Sequence, residues 1–557
     1  MLIFNYDEQQ KTITCKNTDR KDYYTAPRLT EGIWKPIDRT YYYPLNMENI
    51  ERLFLYHKNA GAGWKLALQE KIVDFLNKRE KNIVARQFLA KLSIENIGKL
   101  PVLYSHSKLK LFKNQHIAQY WGRQIDNHAL LWEMGTGKTR SAVEVYEIKK
   151  QLGYVNRAIV LCPLSMVNKW INEIGKWSTG LAYPIRGTKE EKAKTLTEDW
   201  EWLVTTYETF VRMKDDILKN VDEKWFAVLD ETTKIKNPHA KRSKACHELG
   251  RKTIHKLILT GTPVTQHAYD VFSQFLFLDA GETFGVNYDR FIETYFWRTG
   301  YRLIAKAGAP KDISDKMFGK ATRFMKKECI DIPDKLYDQR ILELPLINKK
   351  KYDEMVKWCI TQIEGSENVT APVILTQLLR LSQITSGFVK DVTGREVAFE
   401  ENPKNDALQD ILESSNGNKI IVWARFQHDI EQILALCKKM GIGAVSLYGK
   451  DNEQQRWNNI KKFQEADNVK VLAGTAGTGG HGIDLVAANT VVYFSNSYSL
   501  EQRLQSEDRS HRAGQVNQVQ YIDLLCDHTI DLSIYKTLRS KKNIADIVTR
   551  DSIRSLI

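Results

Sequence analysis

The stretch "LLWEMGTGKTRSAVEV", Leu130 to Val145, carries residue types that could grip a phosphate. Gly135 and Gly137 can take backbone angles closed to other residues, so successive N–H groups can point at phosphate oxygens beside a helix N-terminus. Lys138 adds a mobile positive charge. Thr139 offers a hydroxyl to Mg²⁺, which prefers hard oxygen ligands. The strict phosphate-loop pattern has Gly at its first position, where Trp132 stands here, so the short motif needs independent support.

That support begins with "WFAVLDETTKIKN", which sets Asp230 and Glu231 at the end of an apolar strand. A doubly wound sheet opens its strand ends to a ligand crevice. There Asp230 can hold hydrated Mg²⁺ and Glu231 can orient or deprotonate an attacking water. The same pair could also serve as a plain helix cap. "LILTGTPVTQ" ends another strand in the hydroxyls of Thr260 and Thr262 around Gly261. Farther on, "AGTAGTGGHGID" (473–484) is glycine-dense directly after a strand. "QSEDRSHRAGQ" (505–515) sets Arg509 and Arg512 three apart, which predicts both on one helical face. Guanidiniums stay charged and fork toward phosphate oxygens, which suits a transition state whose charge spreads over a γ-phosphoryl group.

These residues need elements to hold them. Short apolar runs alternate with helix-like stretches in two regions, the mark of parallel sheets buried on both faces. The first region holds "HALLW", "RAIVLC", "EWLVTT", "WFAVLD" and "HKLILTG"; the second holds "NKIIVWA", "GAVSLYG", "VKVLAG", "NTVVYFS" and "VQYIDLL". Two α/β domains are expected, at 106–285 and 401–557. Between them, 286–400 is rich in aromatic and basic residues, among them Arg290, Trp297, Arg298, Arg302, Lys326 and Lys327, and is expected to be a helical bridge or insertion. Residues 1–105 open strand-like and aromatic and then turn helical, a small α+β accessory domain.

A chain of 557 residues with 42% hydrophobic and 27% charged residues fits a soluble globular protein of several domains. The segment "MLIFNYDEQQ" does not read as a secretory leader and no apolar run reaches membrane-spanning length, so a cytoplasmic protein is expected, or a nuclear one in a eukaryote. Seven scattered cysteines without a C-x-x-C pair indicate neither a zinc site nor a disulfide framework. Lys and Arg number 82 against 68 Asp and Glu, a net charge of +14 that favours polyanionic partners.

In their order, these motifs resemble helicase superfamily 2, specifically the SWI/SNF-like branch of DNA translocases, over nearly all of 106–550. "FKNQ" (Phe112, Gln115) resembles the adenine-recognising Q motif, and "MGTGKT" (Met134, Gly135, Thr136, Gly137, Lys138, Thr139) resembles motif I. "CPLSMVNKW" (Pro163, Ser165) matches motif Ia, "TTYE" (Thr205, Thr206) motif Ib, "DETTKIKN" motif II and "LTGTP" motif III. "IVWARF" (Arg425) matches motif IV, followed by "LYG" with Arg456. "GTAGTGGHGIDL" (Thr475, Gly482, Asp484) matches motif V, and "QSEDRSHRAGQ" (Gln505, Arg509, Arg512) motif VI.

The resemblance implies two RecA-like lobes with ATP and Mg²⁺ between them. Gln115 would read the adenine, Lys138 and Thr139 the phosphates and metal, Asp230 the metal and Glu231 the water. Gly482, Asp484 and Gln505 would complete the nucleotide site, and Arg509 and Arg512 would act as arginine fingers. Pro163, Ser165, Thr205, Thr206, Arg425 and Thr475 would face nucleic acid, and Thr260 and Thr262 would couple the two sites. The superfamily often lacks the first glycine, which accommodates Trp132. Thr233 departs from the family, standing where a DEAH-type box has a histidine that connects nucleotide state to motif III.

The branch points to duplex DNA as track. Residues 1–105, through "TYYYPLNMENIERLF", loosely resemble the HARP module of annealing helicases, which implies forked or branched DNA. The expected activity is thus remodelling of replication or recombination intermediates by fork regression, branch migration or strand annealing. The alternatives are an RNA helicase, a motor subunit of a restriction or defence system, and a nucleotide-switched DNA clamp without useful turnover. No protein partner is indicated.

Overall fold

Alternation along each strand decides the architecture. In Trp225–Asp230, for instance, Phe226 and Val228 join one buried cluster while Ala227 and Leu229 join another. A sheet that buries both faces must be covered on both, so its strands run parallel and cross over through helices. The computed structural model describes residues 3–7, 12–16, 33–35, 40–44, 49–50, 52–54, 66–89, 91–104, 111–261, 267–300, 302–364, 371–390, 395–477, 484–512 and 514–540. Thr262, Gly482 and part of the HARP-like stretch (45–48 and 51) lie outside these residues.

The described chain forms two compact units, residues 1–329 and 330–557. The first contains a seven-stranded parallel sheet in the order Ala321–Thr322, Asn127–Leu130, His255–Leu259, Trp225–Asp230, Arg157–Cys162, Trp202–Thr206, Ala182–Pro184. All five apolar runs expected in this region are strands of that sheet. The unit also carries a four-stranded antiparallel sheet (Ile3–Asp7, Thr12–Lys16, Thr40–Pro44, Ile33–Lys35) and the helix Leu66–Leu89, sharing a core of Phe4, Ile13, Cys15, Tyr43, Leu68 and Ile72.

The second unit holds a six-stranded parallel sheet in the order Lys335–Leu342, Val519–Cys526, Thr490–Tyr493, Ile420–Trp423, Val469–Gly474, Gly443–Leu447. Its strands again alternate between two cores, with Ile420 and Val422 on one side and Ile421 and Trp423 on the other.

The stretch 286–400 is less helical than its composition suggests. Besides the helices Tyr288–Tyr295, Ala309–Phe318, Leu346–Glu364 and Ala371–Thr385 it contains a β-hairpin, Phe296–Thr299 with Arg302–Ala305. It also supplies an edge strand to each large sheet: Ala321–Thr322 beside Asn127–Leu130, and Lys335–Leu342 beside Val519–Cys526. Edge strands bury little, and "KLYDQRIL" lacks the apolar run by which a central strand announces itself. Among the described residues no helix is long and apolar enough to cross a membrane.

Candidate nucleotide site and nucleic-acid cleft

The strand Asn127–Leu130 runs into the glycine loop, and the helix Lys138–Gln151 leaves it. Gly135 and Gly137 have φ of 78° and 82°, the left-handed region that glycine enters without a Cβ penalty. At Gly137, the helix N-cap, a Cβ would also lie 2.2 Å from Gln115 Nε2. Gln115 is only 2% exposed. Its Oε1 accepts from Phe112 N–H (3.0 Å) and its Nε2 donates to the Gly137 carbonyl (3.3 Å), while Asn114 Nδ2 donates to the Thr136 carbonyl (2.9 Å). The "FKNQ" segment is thus bonded directly to the loop. Lys138 Nζ donates to the carbonyls of Trp132 (2.7 Å) and Glu133 (3.2 Å), which places its charge at the loop itself. Thr139 follows in the first turn of the helix. Backbone N–H groups at a helix start, a lysine and a hydroxyl are the donor set that a triphosphate requires.

Two strands away, Asp230 ends its strand in a buried position. Its Oδ2 accepts from Trp170 Nε1 (2.8 Å), its Oδ1 accepts from Glu231 N–H (3.0 Å), and its carbonyl accepts from Tyr207 O–H (2.8 Å). Burial pushes the Asp230 carboxyl above its usual range, opposed by the Trp170 hydrogen bond and the charge of Lys138. Glu231 has φ of 55°, a left-handed backbone that a non-glycine residue adopts at a cost of roughly 1–3 kcal/mol. Such strain persists where surrounding structure enforces it, and here it sits at the acidic pair. Thr232 donates to Gln274 Oε1 (2.6 Å), and Thr233 lies in the same short 3₁₀ turn.

Trp132 is explained by the edge strand. Its indole is fully buried and donates to Thr322 Oγ1 (2.8 Å), and its ring meets Phe324 edge-on at 5.5 Å. Arg323 Nη1 donates to the Leu131 carbonyl (3.2 Å) and approaches that of Gly261 (3.5 Å), and Lys326 N–H donates to Glu133 Oε2 (2.7 Å). Residues 322–326 therefore brace the entry to the loop. Sequence reading named Lys326 only as a basic residue of the bridge and missed the others, because most of their partners lie almost two hundred positions earlier in the chain. It also missed Trp170, although "VNKW" lies within motif Ia.

Thr260 is buried at the neighbouring strand end, and Gly261 backs onto Trp132 and Met134 of the loop. Pro163 opens a short 3₁₀ turn in which Ser165 is exposed. The two threonines expected to face nucleic acid lie inside: Thr205 is 0% exposed, and Thr206 is buried with its Oγ1 accepting from Thr209 N–H (3.0 Å) as a helix cap. Ser165 is the better-placed surface hydroxyl on this edge.

In the second unit Arg425 and Thr475, predicted from separate motifs, line one cleft of about 310 Å³ together with Ser495, Asn496, Gln502 and Arg503. The Arg425 guanidinium lies 3.9 Å from the Tyr498 ring centroid, and the Arg425 backbone N–H donates to Ser495 Oγ (2.8 Å). Ser495 in turn donates to Asp429 Oδ2 (2.5 Å), a carboxyl that burial raises to about 7. Arg503, which carried no expectation, makes a bidentate pair with Asp523 (2.6 and 2.9 Å) and donates to Glu507 Oε1 (2.8 Å). Burial opposes ionisation of Glu507, yet the charges of Lys335 and Arg503 pull its carboxyl down to about 2.

The motif VI arginines do not share a helical face. The helix Leu500–Ser510 contains Gln505 and Arg509, both buried, and ends at His511, so Arg512 lies beyond it in a bend. His511 Nε2 is hydrogen-bonded to the Pro333 carbonyl (2.7 Å), and Gln515 Nε2 donates to the carbonyls of Val486 and Ala488. These tertiary bonds turn the chain where a spacing rule would continue the helix. Arg512 pairs with Asp484, bringing two predicted residues together, and Gln505 donates to Glu501 Oε1 (3.0 Å). Among the described residues no group of three or more His, Cys, Asp or Glu could hold a metal ion.

An uncharacterized ATP-dependent helicase of Mycoplasma pneumoniae is 24% identical over 478 residues, covering 83% of this chain and 45% of that protein. Protein p41 of Acyrthosiphon pisum secondary endosymbiont phage 1 is 25% identical over 458 residues, 76% of this chain and 96% of the phage protein. The Sulfolobus solfataricus SWI2/SNF2 ATPase core in complex with dsDNA aligns with 26% identity and a TM-score of 0.40, over 82% of this chain and 99% of that one. The chain spans about half the length of its mycoplasma relatives and nearly all of the phage protein. The helicase conserved C-terminal domain model matches residues 403–514, and the SNF2-related domain model matches residues 68–384, more than half of the chain. The chain belongs to the SNF2-related family.

Proposed function

We propose that this chain is an ATP-driven DNA translocase of the helicase type, which hydrolyses ATP and remodels replication or recombination intermediates. The observation that carries this reading is the assembly, on one sheet edge, of a left-handed glycine loop, Lys138 and the strand-end pair Asp230–Glu231. Lys138 and the loop N–H groups would bind the phosphates, and Gln115, beside the loop, the adenine. Thr139 and Asp230 offer the hard oxygens that suit Mg²⁺, which when bound neutralises phosphate charge. Glu231 would orient the water that attacks the γ-phosphorus and take its proton as the bond to the ADP oxygen breaks. Arg509 and Arg512 would stabilise the charge on the transferring group as the lobes close.

Pro163 and Ser165 on one unit and Arg425 and Thr475 on the other would hold the DNA backbone, with little sequence readout. Closure and release during each ATP cycle would then become steps along the duplex. Residues 1–105 would serve as an accessory module for forked or branched DNA.

The test is ATPase stimulation and product formation with duplex, forked, four-way-junction and single-stranded DNA and with RNA. Stimulation by branched DNA with regressed or annealed products is the expected result; stimulation by RNA alone, or DNA binding with no turnover, would overturn the reading. Glu231→Gln and Lys138→Ala should each lower turnover by at least about 100-fold while DNA binding survives, because a positioned base contributes about 10²–10⁴ in rate.

A further inference from the structure

The hairpin Phe296–Thr299 with Arg302–Ala305 forms a two-stranded sheet of its own. Its root is fixed: Phe296 is buried, with its ring 5.6 Å from Tyr269 and 6.1 Å from Phe291, in a core that includes Phe272 and Phe284. The next residue faces the other way. Trp297 is 62% exposed, and its cross-strand partner Ile304 is 53% exposed. Lys306 Nζ lies 4.3 Å from the indole centroid and also donates to the Glu293 carbonyl, so the cation is held at the ring.

What sets Trp297 apart is the support: an exposed indole beside an exposed aliphatic partner, on a hairpin whose root is anchored in the core, offers a ligand a firm apolar face. A flat π-face with a lysine at the ring matches a nucleobase with its phosphate. Residues 288–327 carry ten Lys or Arg against four Asp or Glu, a balance that attracts phosphate. Within continuous duplex both faces of every base pair are already stacked, so the indole finds an open face only where the duplex stops.

We propose that Trp297 is a stacking platform for the last base pair at a junction of duplex and single strand, with Ile304 widening the apolar face and Lys306 beside the flanking phosphates. This rests on the DNA-translocase reading above and names the feature that would distinguish a branch point from plain duplex.

The experiment uses the full chain as wild type, Trp297→Ala and Trp297→Phe. The probes are a closed-circular relaxed duplex, which has neither ends nor junctions, and a forked DNA with 2-aminopurine at its last paired position. Junction fluorescence and fork affinity are measured without ATP, and ATPase stimulation with it. Trp297→Ala should abolish the junction-specific fluorescence change and weaken fork binding about tenfold, the scale of one lost base–aromatic stack. Stimulation by the circle should stay unchanged, and Trp297→Phe should restore most of the fork affinity. Equal fork binding by wild type and Trp297→Ala would overturn the proposal, as would an equal loss on the circle or a surface that answers only to protein. If neither DNA stimulates the wild-type ATPase, the translocase reading fails, while the binding and fluorescence measurements still decide the role of Trp297.

Discussion

At the carboxyl edge of the first sheet the chemical groups come from one short loop and one strand end, held by hydrogen bonds from nearby backbone and from Gln115, Trp170 and Tyr207. In the second sheet Arg425, Thr475 and Ser495 follow strand ends, and Arg503 beside them is held by buried ion pairs with Asp523, in mid-strand, and with Glu507, which also pairs with Lys335 at the start of its strand. The first construction is held mainly by neutral hydrogen-bond partners and stores strain at Glu231; the second depends on charges compensating one another in the interior. The difference teaches that a glycine loop can be steadied by neutral donors and acceptors, whereas a cleft lined by arginines needs buried carboxylates to hold the guanidinium in place.

Breaking the charged scaffold should have the largest effect. Arg503→Ala leaves Asp523 and Glu507 buried without their guanidinium, and removing one member of a buried ion pair costs about 3–5 kcal/mol. Thermal unfolding should show that loss, whereas Arg503→Lys should recover only part of it because it lacks the planar fork. A variant as stable as wild type would mean that the second edge does not rest on these pairs.

The hydrogen-bonded edge should respond more mildly and in a different readout. Trp170→Phe keeps most of the packing but removes the donor to Asp230, so the carboxyl should rise further toward its neutral form. About tenfold more Mg²⁺ should then be needed for half-maximal ATPase, the scale of one hydrogen bond to a charged group. An unchanged Mg²⁺ requirement would separate Trp170 from the function of Asp230.

A third effect, confined to pH dependence, is expected at Asp429. Its folded-state carboxyl titrates near 7, above its unfolded value, so between about pH 4 and 7 the folded chain binds more protons and stability falls as pH rises. Asp429→Asn should flatten that slope and gain up to about 2 kcal/mol at pH 7, as measured by urea unfolding across the pH range. An unaltered slope would assign the pH dependence to other groups.

Ten apolar runs, each long enough and β-rich enough to stand out, were legible as strands of two parallel sheets, nine of them central and one, Gly443–Leu447, at an edge. So were the glycine loop and the acidic pair, because their chemistry is carried by neighbouring residues. The edge strand at 321–322 and its brace at 323–326 were not legible: two residues have no periodicity, and the hydrogen bonds of Thr322 and Arg323 reach back to 131 and 132. The exposed side of the hairpin was hidden too, since "YFW" reads as three apolar residues until one strand buries Phe296 and turns Trp297 outward.

The sequence by itself determined which segments bury both faces and where phosphate-binding groups can occur, because side-chain period and glycine content are local properties of the chain. Only the tertiary structure decided that Trp132 is an anchored core residue, that Arg512 leaves the helix bearing Arg509, and that Thr205 and Thr206 turn inward. Each of those outcomes was set by partners distant in sequence, Thr322 for the indole and Pro333 for His511 at the helix end, or by burial at a strand end, and spacing along one segment holds no information about them.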